Sequence, residues 1–123
     1  MIRDLRVLVV EDDEALRGLL CAFLERQGCI VASAGDGVDG LEAVRSEFPD
    51  VVVADVGLPR RDGVWLWQEA VALEPKLRGR FLFISGAPIE NDHGAEAERF
   101  LQKPFTTTHF WVELLAAARD QRT

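Results

Sequence analysis

The sequence has few cysteines, few basic residues relative to acidic ones, and no long hydrophobic run. No apolar stretch approaches the roughly 20 residues that a membrane-spanning helix needs, and the apolar run at 7–10 is too short for a signal peptide. We therefore expect no association with a membrane. Fourteen Lys and Arg against 21 Asp and Glu give a net charge of −7, whereas nucleic-acid-binding proteins usually carry a basic patch. Direct binding to nucleic acid is accordingly not expected.

The two cysteines, Cys21 and Cys29, do not form a metal-binding or redox motif. We interpret both as reduced thiols in the core of a cytoplasmic protein, because disulfides are rare in that compartment. The cysteines therefore provide neither a cofactor site nor a covalent framework for the fold.

Strand-like and helix-like patterns alternate along the 123 residues, a length that suits a single domain spanning 1–123. Five short apolar runs are typical of buried strands, and amphipathic stripes between them predict helices. This alternation implies a parallel sheet covered by helices on both faces, an α/β fold. The predicted strands are 5–10, 29–34, 51–55, 80–85 and 99–102.

The helix predictions differ in how firmly the sequence specifies them. The second helix is expected to run from about Val38 to Phe48, with Phe48 on its apolar side. Pro88 and Gly94 interrupt the segment 87–98, so any helix there is short. The last helix has two candidate apolar stripes, either Val112, Leu115 and Ala118 or Phe110, Leu114 and Ala117.

Polar side chains follow four of the five predicted strands, at the point where each strand ends. Glu11 and Asp12 follow the first strand, Asp55 ends the third, Ser85 ends the fourth and Lys103 follows the fifth. The carboxyl ends of parallel strands meet at one edge of the sheet, where open α/β sheets bind their ligands. Clustered carboxylates repel one another unless a cation or protons neutralise them. Oxygen ligands without Cys or His favour Mg²⁺, Mn²⁺ or Ca²⁺ over zinc.

The same residues suit the transfer of a phosphoryl group. Mg²⁺ commonly binds one or two carboxylates and completes its shell with water and phosphate oxygens. Lys103 and Ser85 then offer a positive charge and a hydroxyl donor to the phosphoryl group, and Asp55 remains as the nucleophile, since carboxylates can form aspartyl phosphates. Each residue alone has an ordinary explanation as a turn or helix-start residue. Only their joint placement indicates a site.

At these residues the chain resembles the receiver domains of two-component response regulators. Four motifs carry the resemblance, in family order and over almost the whole chain: VVEDD at 9–13, DVGLPRRDG at 55–63, ISG at 84–86 and FLQKPF at 100–105. The resemblance implies a flavodoxin-like (βα)5 three-layer sandwich with a parallel five-stranded sheet of order 2-1-3-4-5. Only 17 residues separate the Ser and Lys of the last two motifs, which implies a shortened fourth helix and is similar to receivers attached to hybrid histidine kinases.

The resemblance also implies an acceptor and a metal site. Asp55 would take a phosphoryl group from a phosphohistidine of a sensor histidine kinase or phosphotransfer protein. Glu11, Asp12, Asp55 and the backbone carbonyl of Gly57 would hold Mg²⁺ or Mn²⁺, whereas Asp13 is not expected to be a ligand. Such a domain is not a conventional enzyme, although it catalyses its own phosphorylation and dephosphorylation.

The remaining site residues are implied to couple the phosphoryl group to a partner surface. Lys103 would pair with Asp55 or with the phosphoryl group, and Ser85 would donate a hydrogen bond to it. Phe100 matches the family's switch aromatic, which turns inward when Ser85 moves toward the phosphate. The downstream partner that reads this change is not indicated by the sequence.

Three other functions are weighed against this one. A receiver-like module that binds partners without phosphorylation would be expected to lack one of the five site residues, and this chain has them all: Glu11, Asp12, Asp55, Ser85 and Lys103. A phosphatase of the haloacid-dehalogenase type places its Asp nucleophile after the first strand with a second Asp two residues on, which Glu11 and Asp13 match poorly. A flavin carrier of this fold needs a hydroxyl- and glycine-rich phosphate loop after the first strand, where this chain is acidic.

Overall fold

The computed structural model describes residues 4–87 and 98–119, and these form a five-stranded parallel sheet with helices on both faces. The strand order is β2-β1-β3-β4-β5, and every neighbouring pair is parallel. The predicted flavodoxin-like fold with order 2-1-3-4-5 is therefore confirmed. The strands are β1 (Arg6–Val10), β2 (Ile30–Ala34), β3 (Val51–Asp55), β4 (Phe81–Ser85) and β5 (Arg99–Gln102).

Four α-helices connect or follow these strands in the described part of the chain. They are α1 (Glu14–Arg26), α2 (Gly37–Glu47), α3 (Gly63–Leu73) and α4 (Thr107–Arg119), and a 3₁₀ turn at Pro75–Leu77 follows α3. A short helix is predicted within 87–98, and residues 88–97 of that segment lie outside the described residues. Within the described residues, no helix combines the length and the hydrophobicity needed to cross a bilayer.

Two apolar clusters lie on opposite faces of the sheet. Because side chains alternate along a strand, Leu8 and Val10 join one cluster with α2 and α3, whereas Val7 and Val9 join the other with α1 and α4. Every residue of β3 and β4 is buried, which explains why these strands read as continuous apolar runs.

The apolar face of α4 is the second of the two candidate stripes. Phe110, Leu114 and Ala117 are buried, whereas Val112 is 56% exposed. The ring of Phe110 lies edge-on to Phe23 of α1 at 6.2 Å and stacks on Phe105 at 5.8 Å between ring centroids. Contact with α1 therefore decides a choice that the spacing of apolar residues left open.

Both cysteine thiols are free, as predicted. Cys29 is buried and Cys21 is half-buried. Burial raises the pKa of both thiols, so both stay protonated and unreactive at neutral pH.

The prediction that Phe48 lies on the buried side of α2 was wrong. The helix ends at Glu47, and Phe48 adopts a left-handed conformation with φ 50° and ψ 58°. Its side chain is 65% exposed. Pro49 is the physical reason, because proline disfavours a helical conformation for the residue before it.

We expect Phe48→Asn to raise the free energy of unfolding by about 1 kcal/mol, since asparagine tolerates the left-handed region better than a bulky residue. Little burial is lost because the ring is mostly exposed. Urea unfolding measures the change, with Phe48→Ala as the matched control, because alanine also removes the ring but tolerates the left-handed region less well than asparagine. Equal stability of the Asn and Ala variants would show that backbone strain is not the cause.

Glu98 is a buried carboxylate that ties the start of β5 to the rest of the fold. It is 6% exposed and accepts three hydrogen bonds. Trp67 Nε1 and Gly79 N donate to Oε2 at 3.0 and 2.7 Å, and Phe81 N donates to Oε1 at 2.9 Å. Because buried carboxylates need such partners, this residue fixes α3, the turn before β4 and the entry to β5 against one another.

Candidate functional site

The polar residues at the strand ends converge at one edge of the sheet, as the parallel topology predicts. Glu11 and Asp12 directly follow β1, and Asp55 is the last residue of β3. One carboxylate oxygen from each of these three residues lies within 4.8 Å of the other two. The neighbouring positions of β1 and β3 in the sheet therefore bring together acids that are 43 and 44 residues apart in the sequence.

Lys103, which follows β5, bridges two of the acids. Its Nζ donates a hydrogen bond to Asp55 Oδ2 at 2.8 Å and lies 2.9 Å from Glu11 Oε1, a contact that is an ion pair rather than an aligned hydrogen bond. Burial by itself lowers the pKa of Lys103, but the close contacts and negative charges of Asp55 and Glu11 outweigh it and leave the pKa above its usual value. The ammonium is therefore charged at neutral pH.

Glu11 is fully buried, with 0% of its surface exposed. Its Oε2 accepts a hydrogen bond from Asp13 N at 3.0 Å. Burial raises the pKa of Glu11, and the Asp13 N–H and the Lys103 ammonium oppose that effect only in part. A buried carboxylate of this kind needs neutralisation by a nearby cation.

Asp55 lies at the rim, 8% exposed, with both carboxylate oxygens engaged. Gly57 N donates to Oδ1 at 2.9 Å, and Lys103 holds Oδ2. Asp12 is exposed beside it. Asp13 instead caps α1, accepting from Ala15 N and Leu16 N, so its carboxylate is engaged with the helix and not with the cluster.

The acidic cluster fits a divalent cation. Three carboxylates and one ammonium leave it with a net charge of −2. All ligands are hard oxygens, the type that Mg²⁺ and Mn²⁺ prefer. Because Asp12 is solvent-exposed, an ion bound there could retain several waters.

In the described part of the chain, neither Ser85 nor Phe100 makes a hydrogen bond or ion pair with the three acids. Ser85 ends β4, and its hydroxyl donates to Ala87 O at 3.1 Å and accepts from Ala87 N at 3.2 Å. The ring of Phe100 on β5 stacks on Phe83 with 5.0 Å between centroids. The serine hydroxyl is thus held by its own loop.

The loop after Asp55 packs without room for additional atoms. Gly63 N donates to Val56 O at 3.0 Å, and a Cβ at Gly63 would lie 2.4 Å from the backbone oxygen of Asp55. At the start of α2, a Cβ on Gly37 would lie 2.1 Å from the backbone oxygen of Arg61. Glycine at these two positions lets backbone segments approach closely, at Gly63 against Asp55 and at Gly37 against Arg61.

Arg60 fastens the same loop to the start of α2. Its NH1 lies 3.0 Å from Asp36 Oδ2 and 3.7 Å from Asp39 Oδ1. Asp36 also caps α2 by accepting from Asp39 N at 2.8 Å. That backbone bond lowers the pKa of Asp36; burial opposes it, and the Arg60 guanidinium adds to the lowering, so the pKa lies below its usual value.

Two residues that contact the site region or its supporting strands were not singled out from the sequence. Arg17 of α1 donates from NH1 to the backbone oxygen of Glu11 at 2.8 Å, and Glu98 anchors β5 as described above. Neither belongs to a strand-end motif, and their partners are mostly backbone groups, so sequence spacing gives no indication of either role.

Comparison with known proteins identifies the family. The response regulator receiver domain family matches residues 7–114. The response regulator MprA of Mycobacterium ulcerans is 37% identical over 116 residues, covering 93% of this chain and 50% of that protein. The chain thus spans about half the length of the curated relatives it matches.

Solved structures agree on the fold. A response regulator receiver protein from Sinorhizobium medicae superposes with a TM-score of 0.87 at 21% identity, covering 99% of this chain and 100% of that one. The receiver domain of the hybrid histidine kinase CckA gives a TM-score of 0.79 at 26% identity, covering 93% and 99% of the two chains. The chain is therefore a member of the response regulator receiver domain family.

Proposed function

We propose that this domain, as a single unit over 1–123, is the phosphoacceptor of a two-component phosphorelay and that Asp55 receives the phosphoryl group. The observation that carries the proposal is the position of the Asp55 carboxylate, 2.8 Å from the Lys103 ammonium and beside Glu11 and Asp12. This arrangement offers a nucleophilic oxygen at a solvent-facing rim and fixed charges around it. Phosphoryl transfer needs positioning and charge neutralisation more than covalent work from the protein.

The proposed donor is a phosphohistidine on a sensor histidine kinase or a phosphotransfer protein. One carboxylate oxygen of Asp55 attacks phosphorus in line, the new O–P bond forms, and the P–N bond breaks with its electron pair returning to the imidazole nitrogen. Lys103 stays charged and stabilises the negative charge on the phosphoryl oxygens during transfer. Mg²⁺ or Mn²⁺, held by Glu11, Asp12, Asp55 and the Gly57 carbonyl, would supply further neutralisation of those oxygens.

Hydrolysis of the acyl phosphate by water returns the carboxylate and releases inorganic phosphate, so the domain promotes its own phosphorylation and dephosphorylation without being a conventional enzyme. Ser85 would leave its bonds to Ala87 to donate to the phosphoryl group. Phe100 would then change its packing and alter the surface offered to a downstream partner. The free thiols agree with a cytoplasmic location for this relay.

The test is phosphorylation by acetyl phosphate with Mg²⁺, followed by intact-protein mass spectrometry. We expect the wild type to gain one phosphoryl group and Asp55→Asn to gain none, because the amide has no anionic oxygen with which to attack. A sample with EDTA controls for the cation. Equal gain in both proteins would place the acceptor elsewhere. If wild type binds Mg²⁺ but gains no phosphoryl group here or from a kinase, the domain is a phosphate-independent interaction module.

A further inference from the structure

Arg17 of α1 contacts the backbone of Glu11, one of the residues of the acidic cluster. Its NH1 donates to the backbone oxygen of Glu11 at 2.8 Å, and the side chain is half-buried. The guanidinium also lies against the turn after β2, where a Cβ on Gly35 would be 3.1 Å from NH1. One side chain thus links α1 to the carboxyl ends of β1 and β2.

The oxygen that Arg17 holds belongs to the peptide unit joining Glu11 to Asp12. In the preceding peptide unit, Glu11 N–H donates a hydrogen bond to Ala34 O at 3.0 Å. Because a peptide unit is planar, fixing its oxygen also fixes the direction in which the next residue leaves it. Arg17 therefore helps to set the direction of the N–Cα bond of Asp12, from which its side chain extends.

Asp12 depends on its backbone more than the other two acids do. Glu11 and Asp55 are each held by a backbone N–H and by Lys103. The Asp12 carboxylate is exposed, and no hydrogen bond to it is present among residues 4–87 and 98–119. Its placement near the other acids therefore depends in part on the peptide plane whose oxygen Arg17 holds.

We propose that Arg17 is a positioning residue for the divalent cation, holding the Glu11–Asp12 peptide so that Asp12 meets the ion; this rests on the cation site of the proposed function. The charge of Arg17 and its hydrogen bond have opposite effects on the affinity for the cation. The guanidinium charge repels a divalent cation, so if Arg17 acted only through its charge, its removal would tighten cation binding. If Arg17 positions Asp12, its removal weakens cation binding.

The experiment measures the dissociation constant of Mn²⁺, followed by the electron paramagnetic resonance of the free ion. We expect Arg17→Met to weaken Mn²⁺ binding about tenfold, or 1.4 kcal/mol, and Arg17→Lys to weaken it less because one donor remains. Arg26→Met is the matched control, because Arg26 lies exposed in the last turn of the same helix. Its binding should equal that of the wild type, and urea unfolding confirms that each variant is folded.

The outcomes distinguish a failure of the role of Arg17 from a failure of the cation site. Unchanged or tighter Mn²⁺ binding by Arg17→Met, with or without a loss of stability, overturns the proposal and leaves Arg17 as a structural link only. If Arg17→Met does not fold, Arg17→Lys decides by the same comparison with Arg26→Met. Absence of Mn²⁺ binding by the wild type, or binding unaffected by Asp12→Asn, overturns the cation site itself and the role of Arg17 with it.

Discussion

Replacing Lys103 with methionine is expected to lower the free energy of unfolding by about 3 kcal/mol at neutral pH in metal-free buffer, the lower end for removing one partner of a buried ion pair. Lys103 Nζ is 2.9 Å from the fully buried Glu11 carboxylate and 2.8 Å from Asp55. Methionine keeps most of the apolar stem of lysine, so the loss of stability measures the effect of removing the ammonium charge. Without it, buried negative charge remains with no cation beside it.

Urea unfolding in EDTA and then in Mg²⁺ measures this effect. Mg²⁺ is expected to stabilise Lys103→Met more than the wild type, since the ion then neutralises a cluster with one more negative charge. Lys76→Met is the control, because Lys76 is exposed on the 3₁₀ turn. A loss equal to that of the control would mean that Glu11 and Asp55 do not depend on Lys103 for neutralisation.

Gly63→Ala is the second substitution with a large expected effect, a loss of about 2–3 kcal/mol of stability from overpacking together with slower phosphorylation. The added Cβ would lie 2.4 Å from the backbone oxygen of Asp55 and 3.1 Å from Val56 Cα. Backbone atoms cannot rotate aside as a flexible side chain can. The chain must therefore shift at the proposed acceptor.

Gly18→Ala provides the matched control for Gly63→Ala. Gly18 lies inside α1, and a Cβ there meets no heavy atom within 4 Å. Alanine favours helix over glycine, so this variant should gain up to about 1 kcal/mol. Stability to urea and the rate of phosphorylation by acetyl phosphate, followed by mass spectrometry, are measured for both variants. A wild-type rate of phosphorylation in Gly63→Ala would show that the reaction tolerates movement of the Asp55 backbone.

The convergence of the site was predictable because it follows from topology. Apolar runs such as 51–54 and 81–84 appear continuous only when a strand is buried on both faces. Once the sheet is parallel, the residues after its strands must share an edge. Glu11, Asp55 and Lys103 therefore meet in the structure as the sequence predicts.

The features that the sequence did not determine depend on contacts between distant elements. Two apolar stripes of α4 are equally good by spacing, and only the packing of Phe110 on Phe23 decides between them. Phe48 fits the periodicity of α2, yet the proline after it ends the helix. In the sequence Glu98 is indistinguishable from a surface acid. Only the fold places Trp67, 31 residues away, and two backbone N–H groups within hydrogen-bond distance of its carboxylate.

The hydrogen bond from Trp67 Nε1 to Glu98 gives this domain a built-in spectroscopic reporter. An indole proton donated at 3.0 Å to a buried carboxylate should give a downfield NMR resonance that exchanges slowly with solvent, separate from those of the other tryptophans. Glu98 directly precedes β5, which carries Phe100 and leads to Lys103. The indole proton resonance of Trp67 would therefore report any movement of β5 relative to α3 during the proposed phosphorylation of Asp55.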